Sequence, residues 1–121
     1  MRVMLIEDDE LVRSSLADTL AEEGIEVNGL ANAEDALILL SSGQAPDVLV
    51  ADIDLGAGLN GLDLAGIARE RHPHVEVIII SGTTPSADQR ALHGRQRFVA
   101  KPFAPAALAD AIRGAVGEAR R

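Results

Sequence analysis

Two runs in this chain, 48–51 and 77–80, are apolar at every position, and each ends on a polar residue, Asp52 and Ser81. A strand with one face in water alternates apolar and polar side chains, whereas a strand that is apolar throughout has to be covered on both faces. Runs this short do not cross a bilayer, which takes about 20 apolar residues. They belong in a parallel sheet between two layers of helices, because the crossovers that join parallel strands lay helices on the sheet faces.

The rest of the chain supplies those layers. An apolar strand over 3–6 runs into Glu7, Asp8 and Asp9. A helix over 10–23 follows, with Val12, Leu16 and Leu20 on one stripe and Gly24 as its stop. A weaker strand spans 25–30. Asn32 can cap the next helix, whose first turn holds Glu34 and Asp35, where the helix dipole favours anions. Leu37, Ile38 and Leu40 give that helix an apolar side, and Gly43 closes it. After the strand at 48–51, a loop over 53–60 leads to a helix over 61–71, halted by Pro73. The strand over 75–80 is interrupted only by Glu76. A short, poorly amphipathic helix is expected over 86–92, then a strand over 98–100. A closing helix over 104–119 is striped by Leu108, Ile112 and Val116, with Pro105 in its first turn, where proline forfeits no hydrogen bond. Five βα units result, wound on both sides of a five-stranded parallel sheet.

Composition narrows what such a sheet can do. A length of 121 residues suits one domain over 1–121, large enough for a core without disulfides. There is no cysteine, which excludes a thiol nucleophile and a cysteine-based zinc site and accords with a cytoplasmic location. The start, MRVMLIEDDE, meets acid after a short apolar run and is not a signal peptide. No membrane association is expected. The net charge of −8 and the absence of Trp and Tyr argue against direct nucleic-acid binding. An anionic ligand would need a metal ion or a local cation to offset that field.

The polar residues at the strand ends carry the chemistry. Glu7 and Asp8 follow the first strand, Asp52 the third, Ser81 the fourth and Lys101 the fifth. In a parallel sheet these ends share one edge, where ligands of such folds bind. Clustered carboxylates repel unless a cation joins them or one keeps its proton. An all-oxygen set suits Mg²⁺, for which Mn²⁺ could stand in. Lys101 adds a movable charge for a phosphoryl oxygen, and Ser81 adds a hydroxyl. Positioning and charge stabilisation of this kind serve phosphoryl transfer, with a carboxylate as nucleophile.

At these residues the sequence resembles the receiver domains of bacterial two-component systems. The pieces VMLIEDDELVRSSL, DVLVADIDL, VIIISG and FVAKPF stand in order from Val3 to about Val116. The resemblance implies the flavodoxin-like receiver fold and a phosphoacceptor at Asp52. It implies Mg²⁺ held by Asp8 and Asp52, by Glu7 largely through water, and by the backbone carbonyl of Asp54. It implies Ser81 and Lys101 as catalytic partners, Ser81 and Phe98 as switch residues, a cis Lys101-Pro102 bond, and Asp54 and Thr83 as modulating positions. The sequence departs from the family pattern in the proline-free, longer loop IDLGAGLNG, in the extra acid Asp54, in LHGRQR before Phe98, and in Phe where Tyr is commoner.

The implied function is a signalling switch. A histidine kinase or histidine phosphotransfer protein docks near the first helix, on a face with Leu11, Ser15 and Asp18, and its phosphohistidine donates to Asp52. The face of the fourth helix, last strand and closing helix then changes for a downstream partner or output domain, and water slowly removes the phosphoryl group. The domain is expected to assist its own reactions rather than act as an enzyme, to carry no output domain, and to leave homodimer formation open. Two alternatives remain: a phosphorylation-independent pseudo-receiver, and a flavin-binding protein, which the acids after the first strand disfavour. Phe98 is read equally well as a core aromatic, and Ser81 could merely begin a turn with Gly82. His72, His74 and His93 are expected at the surface. Arg90, Arg95 and Arg97 are expected to be solvated or to form a partner face.

Overall fold

The computed structural model describes residues 1–53, 59–82 and 97–119. Its elements are β1 (Arg2–Ile6), α1 (Glu10–Glu22), β2 (Glu26–Leu30), α2 (Ala33–Ser41), β3 (Val48–Asp52), α3 (Gly61–Arg71), β4 (Glu76–Ser81), β5 (Arg97–Ala100) and α4 (Pro105–Ala119). The strands pair in parallel in the order β2-β1-β3-β4-β5. The helix expected over 86–92 lies outside the described residues, as do His93, Arg90 and Arg95.

Burial follows the strand order. Every residue of β3 and β4 is buried, while the edge strand β2 is largely exposed and β5 half-buried. Alternation along each inner strand divides the core in two. Met4, Ile6, Leu49, Ala51, Val77 and Ile79 face α2 and α3, meeting Ala36, Leu40, Leu64 and Ala68. Val3, Leu5, Val48, Val50, Ile78 and Ile80 face α1 and α4, meeting Leu16, Leu20, Leu108 and Ile112. Burying one Leu or Ile side chain is worth about 1.5–3 kcal/mol, so these two faces hold the sheet edge in place.

Helix ends follow the sequence signals. Asn32 Oδ1 accepts from Asp35 N at 2.8 Å, and Asn60 Oδ1 from Asp63 N at 2.9 Å. The helices α1 and α2 are followed by Gly24 at φ 80° and Gly43 at φ 90°, a conformation that costs glycine little.

Three expectations are corrected. Val12 was placed on the buried stripe of α1 but is 41% exposed. Four residues advance a helix by slightly more than one turn, so Val12 lies roughly 80° around from the buried Leu20. Ile38 was placed on the apolar side of α2 but is 67% exposed. It stands about 200° from Leu40, on the opposite side; Ala33, Ala36 and Leu40 form the buried stripe. His72 was expected at the surface but is half-buried, its Nε2 3.0 Å from the carbonyl of Leu40 at the end of α2. His74 is exposed, and Arg97 is half-buried in β5.

Leu20→Ala should therefore lower unfolding free energy by about 2–5 kcal/mol, and Val12→Ala by under about 1 kcal/mol. Urea denaturation of the two variants measures both; equal losses would contradict the placement of Val12.

Candidate functional site

Because all five strands run the same way, their carboxyl ends meet at one edge, and backbone bonds carry the order past the strand ends. Glu7 N donates to Leu30 O at 3.0 Å, Ile53 N to Ile80 O at 2.8 Å, and Lys101 N to Ser81 O at 2.8 Å. These bonds fix the main chain at Glu7, beside Asp52, and at Ser81 and Lys101. The side chains of Glu7, Asp52 and Ser81 are buried there, while Asp8 and Lys101 are exposed.

Lys101 Nζ forms an ion pair and hydrogen bond with Asp52 Oδ2. The bond to Asp52 holds the lysine above its ordinary range against the opposing effect of burial, and the charges of Asp52, Glu7 and Asp8 add to the rise. Glu7 is also pushed up, mainly by burial. Its hydrogen bond with Asp8 and the charge of Asp52 act the same way, while the bond from Asp9 N, at 3.1 Å to Oε1, and the charge of Lys101 oppose them. Asp9 caps α1, its Oδ1 accepting from Leu11 N at 2.9 Å and Val12 N at 3.1 Å. It is a helix-capping acid, and Glu10 occupies the first turn.

An open cleft of about 920 Å³ lies over this edge. Glu7, Asp8 and Lys101 give it a polar end; Leu11, Val12 and Phe103 give it an apolar wall. Leu11 is 83% exposed, and Ser15 also lines the cleft, while Asp18 is exposed farther along α1. Phe98 is paired with Ile79 and half-buried against the α2–α3 side of the core, and the Lys101-Pro102 bond is cis. Asp54 and Thr83 lie outside the described residues.

Sequence reasoning missed Gly61 and Arg13. A Cβ at Gly61 would overlap the carbonyl oxygen of Asp52 and stand 2.9 Å from its carbonyl carbon, so α3 is seated directly against the backbone of Asp52. A glycine opening a helix right after a loop was the available signal. Arg13 Nη1 donates to Glu7 O at 2.9 Å, which periodicity does not reveal.

Among the described residues, no three His, Cys, Asp or Glu side chains are grouped to hold a metal by themselves. The donors fit Mg²⁺ nonetheless, since that ion takes one or two carboxylates and keeps several waters. Glu7 and Asp52 are buried at this edge with Asp8 beside them, and the Lys101 bonded to Asp52 offsets one of these three acids.

A parallel sheet in this order, with acids, a lysine and a hydroxyl at its carboxyl edge, defines a doubly wound α/β domain of the flavodoxin-like class. Residues 3–113 match the model of the response regulator receiver domain, and the chain belongs to that family, the receiver domains of two-component systems. It is 33% identical to the response regulator protein FleR of Pseudomonas aeruginosa over 120 residues, 97% of this chain and 25% of FleR. It is 35% identical to the C4-dicarboxylate transport transcriptional regulatory protein DctD of the same organism over 125 residues, 99% of this chain and 26% of DctD. The chain thus spans about a quarter of these relatives. A response regulator receiver protein from Sinorhizobium medicae superposes with a TM-score of 0.87 at 27% identity, covering 98% of this chain and 96% of that one. No described helix is long and apolar enough to cross a membrane.

Glu7 has a folded pKa above its ordinary 4.5, so just above that value the folded state keeps a proton that the unfolded state has released. Metal-free stability should fall as pH rises through this window. Glu7→Gln should flatten that slope and be the more stable protein at pH 7 in chelator. Denaturant titrations across pH measure this, and a less stable variant would show that the bond from Asp9 N outweighs burial.

Proposed function

We propose that this domain is a phosphoacceptor switch in which Asp52 takes a phosphoryl group from a phosphohistidine. The observation that carries the reading is the buried Asp52 carboxylate, ion-paired to Lys101 at the edge of an open cleft. A carboxylate oxygen of Asp52 attacks phosphorus in line, the P–N bond to the donor imidazole breaks, and an aspartyl phosphate remains. Lys101 leaves its bond with the carboxylate to neutralise phosphoryl oxygens, and the Ser81 hydroxyl donates to one of them. Glu7, Asp8, Asp52 and the Asp54 carbonyl would hold Mg²⁺ or Mn²⁺, which when bound supplies positive charge for the carboxylates and the phosphoryl oxygens. Water then slowly hydrolyses the acyl phosphate, with Asp54 and Thr83 modulating its access. The domain assists these steps on itself and is not an enzyme for other substrates.

The donor is a histidine kinase or histidine phosphotransfer protein, docked along Leu11, Ser15 and Asp18 beside the cleft. The apolar wall of Leu11, Val12 and Phe103 supports that placement. Ser81 and Phe98 couple the site to the β5–α4 face, where a downstream partner or output domain, or a second copy of the chain, reads the change. FleR and DctD extend well beyond the part that this chain matches, which favours an effector module as reader. The acidic charge disfavours direct nucleic-acid contact, and a cytoplasmic setting follows from a kinase donor.

Incubation with a small phosphodonor and Mg²⁺ should add the mass of one phosphoryl group. Asp52→Asn and a chelator should each abolish the addition, and Lys101→Ala should slow it about 10²-fold. Folded, Mg²⁺-binding protein that gains no mass would instead favour the pseudo-receiver. Asp54→Asn should change the decay of the phosphorylated form more than its formation; unchanged decay would remove Asp54 from the hydrolytic path.

A further inference from the structure

The acid pair Glu7–Asp8 sits on the connection between β1 and α1. Glu7 N is held by Leu30 O, and Asp9 caps α1. The carbonyl of Glu7 is gripped from the helix side by Arg13, whose Nη1 donates to it at 2.9 Å. That carbonyl belongs to the planar peptide joining Glu7 to Asp8, so fixing its oxygen fixes the plane from which the Asp8 side chain departs.

The arginine is itself confined. It is half-buried, and its stem runs over Gly29 of β2. A Cβ at Gly29 would stand 3.2 Å from Arg13 Cγ and 3.4 Å from Cδ. With its far end bonded to Glu7 O and its own amide bonded to Asp9 O at 2.9 Å, the stem has little freedom to yield. Glycine at position 29 leaves the groove this stem occupies.

We propose that Arg13, seated in the groove over Gly29, is a positioning residue for the divalent-cation site, orienting the Glu7–Asp8 peptide through its carbonyl. This rests on the reading of Glu7, Asp8 and Asp52 as Mg²⁺ donors. Arg13 touches neither the ion nor the phosphoryl group; it acts by holding the turn that presents the acids. Groups of this kind behind metal ligands alter affinity by 10–100-fold when removed.

Calorimetric Mg²⁺ titration of the unphosphorylated protein tests this, alongside urea midpoints. Arg13→Met keeps the stem and removes the donor, and should weaken Mg²⁺ binding about 10-fold. Arg13→Lys, with a shorter cationic donor, should fall between it and the wild type. Gly29→Ala, which crowds the stem, should weaken binding by a smaller factor without lowering the urea midpoint. Phosphorylation of Arg13→Met by a small phosphodonor should recover at saturating Mg²⁺. Wild-type Mg²⁺ affinity in Arg13→Met, with or without a lowered urea midpoint, would overturn the proposal. If the wild-type chain bound no Mg²⁺, the donor assignment and the role of Arg13 would fall together.

Discussion

A strand covered on both faces can expose polar groups only at its ends. In β3 and β4 that constraint is complete, since every residue is buried and neighbouring side chains enter opposite halves of the core. Parallel pairing then gathers the polar ends on one side of the sheet. Placement of Asp52 and Ser81 is thus a by-product of how Val48 to Ala51 and Val77 to Ile80 are packed, and the core specifies the site before any functional side chain is considered. The less buried strands β2 and β5 serve differently: β2 yields a groove for Arg13, and β5 leads directly into Lys101.

Electrostatics at that edge is unbalanced by construction. Glu7 and Asp52 are buried together, with Asp8 beside them, and Lys101 is the cation bonded to Asp52. Burial, more than the neighbouring charges, makes Glu7 hold its proton more tightly than a solvated carboxyl would. The lysine side chain is 42% exposed and has room to move, whereas the carboxylates of Glu7 and Asp52 are buried at the sheet edge. A buried negative cluster beside a movable positive arm would suit the phosphoryl acceptance and release proposed for this edge.

Much of this was legible in the residue pattern. The apolar runs 48–51 and 77–80 announce a buried parallel sheet, and the polar residues that end them announce its working edge. Helix boundaries followed from Asn32, Gly24, Gly43 and Pro73, whose conformational preferences act locally. Pattern failed where burial depends on what stands opposite a helical turn: Val12 has the spacing of a core residue, but its turn of α1 stands beside the open cleft. Ile38 failed because an apolar cluster within one helical turn spans more than one face. His72 was misjudged because its partner, the Leu40 carbonyl, lies 32 residues away in sequence. Arg13 and Gly29 belong to the same class, since their pairing exists only once β2 is laid beside β1.

The seating of Gly61 against Asp52 has a consequence for how this architecture tolerates change. Ile53 N is bonded to Ile80 O and Gly61 N to Ile53 O at 3.3 Å, so the connection between β3 and α3 leaves and returns at almost the same point. Extra residues between such pinned ends add little closure entropy, growing only with the logarithm of loop length. Insertions between those pinned ends would shift neither Asp52 nor the start of α3. The same point of attachment offers a place to graft a recognition element within reach of Asp52 while leaving the frame untouched.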